Sequence, residues 1–171
     1  IGSAAQALRP EALVAPGGFL WWYLDLVSPE GDGVVLIWAF GLPFLPGRES
    51  AARRGEGVPG RDQPSLAVSV YRGGKPAFYL LQEYEPADAE VDLASGRVRL
   101  GQSHFRSWEE GGRRIVEGQL DLPVPNSSRL SGTFRVEGAA LRCPEATDVQ
   151  HVWAPRTSAT DGVATLSLGE Q

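Results

Sequence analysis

The chain has 171 residues, with 16 basic and 21 acidic side chains for a net charge of −5; this offers no counter-ion surface to nucleic acid, so duplex binding is disfavoured. Hydrophobic residues at 42% and charged residues at 22% exclude wholesale disorder. With 21 glycines and 13 prolines, helices would be interrupted too often for an all-helical fold, whereas many short strands joined by turns fit well.

Residues 1–16 read as a lead-in segment with one helical turn near Arg9 to Val14, and residues 17–171 as one domain. Phe19 to Val27 has strand composition, and alternation puts Phe19, Trp21, Tyr23 and Asp25 on one face and Leu20, Trp22, Leu24 and Leu26 on the other. Both faces are apolar, which predicts a strand covered on both sides. Ser28 to Gly33 has hairpin chemistry, with Pro29 fixing φ and two glycines free to take positive φ. Val34 to Phe40 is the returning strand. The run Gly33 to Leu45, broken by Gly41 and Pro43, is too short to span a bilayer.

Residues 41–65 show no period and are expected to form a long irregular loop, a candidate lid. A second hairpin follows, Leu66 to Arg72 and Pro76 to Tyr84 around Gly73-Gly74. Shorter strands are expected at Val91–Leu93, Arg97–Leu100 and Ser103–Trp108. Beyond a turn at Glu110 to Gly112 come Arg113–Leu122 and Leu130–Glu137, the latter with Leu130, Phe134 and Val136 inward. Gln150–Trp153 and Val163–Leu168 complete the set. Nine or ten strands at short spacing, with little helix, predict an all-β antiparallel sandwich or closed barrel.

Two constellations could carry chemistry. Asp25 lies mid-strand among aromatic side chains, where an ionised carboxylate needs partners. It is either an acid of raised pKa in an apolar pocket or a carboxylate held by backbone N–H groups or an arginine for structural reasons. His151 and Trp153 share a strand face. The imidazole could orient a water or an acid, and the indole could face developing positive charge; alternatively the two are core residues. Glu83 shares a face with Tyr79 and Leu81 and is a further pocket candidate, or a solvated strand-end carboxylate. His104, Cys143 and His151 match no zinc spacing, so no metal is expected. The single cysteine excludes an intrachain disulfide. Asn126-Ser127-Ser128 matches a glycosylation acceptor but reads as a turn. No phosphate-binding loop or nucleophile elbow is present.

Gly18 to Phe40, with Trp21-Trp22-Tyr23-x-Asp25 ahead of a hairpin and an apolar strand, resembles the N-terminal lipocalin-like domain of carotenoid 1,2-hydratases (hydroxyneurosporene synthases). His151-x-Trp153-x-Pro155 is similar to the His-x-Trp-x-Pro segment of the same family. The order and spacing of the two segments agree, and the resemblance covers roughly residues 17–168. It implies a lipocalin-like (calycin) barrel of nine or ten strands and acid-catalysed addition of water to the terminal double bond of an acyclic carotenoid, a lyase reaction that needs no cofactor. His151 and Trp153 would be catalytic, and Trp21, Tyr23, Asp25 and Glu83 would contact substrate. The implied partners are an apolar carotenoid or other isoprenoid, a second lipocalin-like domain, and a membrane surface from which the ligand is obtained. In the family a Tyr-x-Asp pair after the His-x-Trp segment supplies the acid. None occurs after His151, so these residues are expected to be the first half of a longer protein and incomplete for catalysis alone. The absence of any methionine points the same way. The alternative is a non-catalytic module that binds an isoprenoid or other apolar small molecule.

Overall fold

A computed structural model describes residues 10–42, 46–125, 128–141, 155–157 and 161–170. Among the described residues, ten antiparallel strands form two sheets. The first contains β1 (Leu20–Val27), β2 (Gly33–Phe40), β3 (Pro64–Arg72) and β4 (Lys75–Glu83), in that order. The second contains β5 (Ala89–Asp92), β6 (Arg97–Leu100), β7 (Ser103–Glu110), β8 (Arg113–Val124), β9 (Ser128–Ala139) and β10 (Asp161–Glu170), again in chain order. Each strand within a sheet therefore pairs with its neighbour in sequence, a simple meander that tight turns make accessible. Among the described residues no ladder joins β4 to β5 or β10 to β1, so the ladders draw two sheets rather than one continuous barrel. β1 and β10 nevertheless approach each other, and a Cβ on Gly162 would overlap Leu26 Cδ2.

The core lies between the sheets. From the first come Val34, Leu36, Trp38, Phe40, Leu66 and Val68; from the second come Val98, Leu100, Phe105, Leu120, Leu122, Leu130 and Phe134. Trp38 bridges the layers, its ring 4.9 Å from Phe105 and 5.5 Å from Phe134 between centroids, within the range favoured by aromatic pairs. Room for the Phe134 ring depends on Gly118, where a Cβ would come within 2.6 Å of Phe134 Cζ. The inward set Leu130, Phe134 and Val136 is buried as its alternation predicts.

Two expectations need correction. Residues 41–65 are not an irregular loop. They contain helix α1 (Arg48–Arg53), a 3₁₀ turn at Gly60–Asp62 and the first residues of β3. The anchor is the buried Arg48, whose guanidinium donates to Gln63 Oε1, to Gly18 O at 3.0 Å and to Val58 O at 3.4 Å. Sequence period misses such an anchor because α1 has only six residues and its single buried side chain is a charged one. Nor is β1 covered on both sides. Leu20, Trp22, Leu24 and Leu26 turn inward, whereas Tyr23, Asp25 and Val27 are exposed. Apolar composition on both faces cannot distinguish a central layer from an outer sheet with one apolar face left toward solvent.

Candidate functional site

The ladders place four cross-strand rows on the outer face of the four-stranded sheet. They are Trp21–Ala39–Ser65–Glu83, Tyr23–Ile37–Ala67–Leu81, Asp25–Val35–Ser69–Tyr79 and Val27–Gly33–Tyr71–Pro76. Trp21, Tyr23, Asp25 and Glu83 therefore all lie on one face. The face is largely apolar and open: Tyr23 is 45% exposed, Val27 74%, Tyr79 68% and Leu81 43%. Scattered exposed apolar residues are ordinary on a protein surface, but a contiguous patch of this kind marks a contact surface.

Within the face, Tyr23 and Asp25 are next-but-one on β1, so their side chains rise side by side. Partial burial, then the negative charge of Asp25 and the nearby Tyr71, push the Tyr23 phenol above its ordinary value; it is a neutral hydrogen-bond donor at neutral pH. Asp25 is exposed among Val35, Tyr23 and Val27 rather than enclosed in an apolar pocket. Glu83 stands at the opposite corner. Three strand spacings and four residues along the strand separate it from Asp25, about 19 Å. The two carboxylates are thus brought to one face but not to one reacting atom.

His151 and Trp153 lie outside the described residues, as does Cys143. His104 is exposed on β7 opposite Gln119. Among the described residues, no group of three or more His, Cys, Asp or Glu side chains is placed to hold a metal. Ser65 is a member of the face that sequence reading missed. Its hydroxyl is buried without a hydrogen-bond partner, in the row that joins Trp21 to Glu83. Only the β2–β3 register, which no local pattern specifies, puts it there.

The chain is 33% identical over 155 residues to the acyclic carotenoid 1,2-hydratase of Thiocapsa roseopersicina, an alignment covering 88% of this chain and 36% of that protein. Over 88% of its length, the chain is related to acyclic carotenoid 1,2-hydratases. Against the enzyme of the same name from Rubrivivax gelatinosus it is 25% identical over 155 residues, covering 87% of this chain and again 36% of the relative. The chain therefore spans little more than a third of the length of the curated relatives it matches. No family model matches it, and no solved structure matches it.

Proposed function

We propose that the outer face of the four-stranded sheet is one wall of an apolar-ligand site in a carotenoid 1,2-hydratase-like protein. The observation that carries this reading is the Tyr23–Asp25 pair set within an apolar sheet face that continues through Ile37 and Leu81. An acyclic carotenoid has the matching chemistry, a long apolar chain with a terminal trisubstituted alkene. In the proposed reaction a carboxylic acid gives its proton to the less substituted alkene carbon, leaving a tertiary carbocation. Water adds to the cation, and its surplus proton returns to the carboxylate, so no cofactor is consumed. Aromatic faces near the cation lower its energy, the role assigned to Trp153, while Trp21 contacts the substrate. His151 would orient the water or the acid. Asp25 is the candidate proton carrier on this chain.

The meander order and the close approach of β1 to β10 support reading the two sheets as a flattened lipocalin-like barrel. A second domain of a longer protein would supply the opposite wall, and a membrane would supply the ligand. One observation favours the alternative, a non-catalytic module that binds an isoprenoid or other apolar molecule: Asp25 and Glu83 are too far apart to share a proton relay.

The test is turnover of an acyclic carotene in isotopically labelled water by the full-length protein, alongside quenching of tryptophan fluorescence by the same carotene. Asp25→Asn should lower labelled-alcohol formation by about 10²–10⁴-fold, the usual contribution of a positioned acid, while quenching persists. In the full-length protein, His151→Ala should lower turnover far more than thermal stability. Unchanged turnover in Asp25→Asn would remove the proton-carrier role. Quenching without turnover by the wild-type full-length protein would establish the binding module.

A further inference from the structure

A second site lies at the end of the sandwich where β2 finishes, away from the outer face. There a cleft of about 330 Å³ is lined by Leu13, the last residue of a 3₁₀ turn over Pro10–Leu13, by Val14 after it, by Phe40 of β2, by Pro86, and by Ala89 and Val91 of β5. The volume is at the small end of the range for small-molecule sites, about 300–1,000 Å³. Its floor is continuous with the core, because Phe40 is buried there and Leu13, Ala89 and Val91 pack against the same cluster. The lining is more apolar than polar, as small-molecule sites usually are.

The cleft carries a charged pair. Arg61 and Asp62, on the 3₁₀ turn, line it together. Arg61 Nε and Asp62 Oδ1 form an ion pair 3.6 Å apart, too long for a direct hydrogen bond, and both side chains are exposed at the mouth of the cleft. A guanidinium only donates and a carboxylate only accepts. A carboxylate ligand would meet Arg61 favourably but be repelled by Asp62, and an ammonium would suffer the reverse. A hydroxyl can accept from Arg61 and donate to Asp62 at once. We infer that this cleft binds a small uncharged apolar molecule ending in a hydroxyl, with the apolar body against Leu13, Phe40 and Val91 and the alcohol between Arg61 and Asp62. This inference stands apart from the hydratase reading, since it uses none of the residues of the outer sheet face.

The experiment is an amide NMR titration of the isotopically labelled chain with geraniol, and in parallel with myrcene, geranic acid and geranylamine. Geraniol should shift the signals of Val14, Ala89 and Val91 and bind more tightly than the other three. Val14→Trp should fill the cleft and abolish these shifts. Val14 is 53% exposed, so this replacement leaves the core intact, and an unchanged melting temperature verifies that. Asp62→Ala should weaken geraniol about fivefold, the size of one net hydrogen bond, and leave myrcene unaffected. The inference is overturned if geraniol shifts only outer-face signals or none, if Val14→Trp binds normally, or if geranic acid or geranylamine binds best.

Discussion

Arg48 shows how much one side chain can organise. It is 8% exposed and has no carboxylate hydrogen-bonded to it among the described residues. Burial lowers its pKa from the ordinary value, though a guanidinium stays charged at any ordinary pH. What compensates is hydrogen bonding to one side-chain amide and two backbone carbonyls. Gly41 completes the arrangement: its φ is +89°, and a Cβ there would fall 2.7 Å from both Gly18 O and Arg48 Nη2. Arg48→Ala removes the donor to Gly18 O and Gln63 Oε1, while Val58 O keeps the Gly17 N–H at 3.1 Å, and the expected loss is about 1–3 kcal/mol in urea unfolding. A change below about 0.5 kcal/mol would mean that the segment is held by other contacts. Surface pairs are another matter. Arg53–Glu49 and Arg54–Glu56 are largely exposed, and their removal should be nearly neutral.

At the level of elements, β4 separates folding from recognition. Phe78 and Leu80 pack toward the core while Tyr79 and Leu81 stand on the outer face. Replacing both outward residues, Tyr79→Ser with Leu81→Ser, should change unfolding free energy by no more than about 0.5 kcal/mol per site. The same pair of changes should strongly reduce quenching by an acyclic carotene, because it removes apolar area from the proposed wall. Intact quenching would move the ligand elsewhere. An equal loss of stability would show that the face is core covered by another part of the protein.

Over the whole molecule, pH acts through groups at both ends of the scale. Asp32 is held below its ordinary value chiefly by the Gly73 N–H and then by Arg72, and Asp92 chiefly by hydrogen bonds from Ser95. For both, the native state binds fewer protons than the unfolded chain, so their contribution is present above about pH 4 and is lost as pH falls through the depressed native values. Tyr23 and Tyr84 are shifted the other way, first by burial. Their native states keep the phenol proton longer, so stability falls as pH rises beyond about pH 10. Urea midpoints measured across the range should be flat near neutrality and drop on both sides. A midpoint still rising above about pH 10 would contradict the tyrosine assignment.

Much of this architecture is legible in the chain itself. Strand identity follows from β-branched and aromatic runs bounded by Gly and Pro, and Arg97–Leu100 coincides with β6 end for end. Alternation along single strands also puts Trp21, Tyr23 and Asp25 together, and likewise Tyr79, Leu81 and Glu83, because the side-chain period of a strand is local geometry. Other features depend on partners distant in sequence. Which face of β1 meets the core, the register that brings Ser65 beside Trp21's row, and the pairing of Arg48 with Gly18 and Val58 are all settled between segments. So is the meeting of Val14, Phe40 and Val91 around one cleft. Local pattern specifies which side chains share a face, but only the packing of two sheets decides which face loses its water.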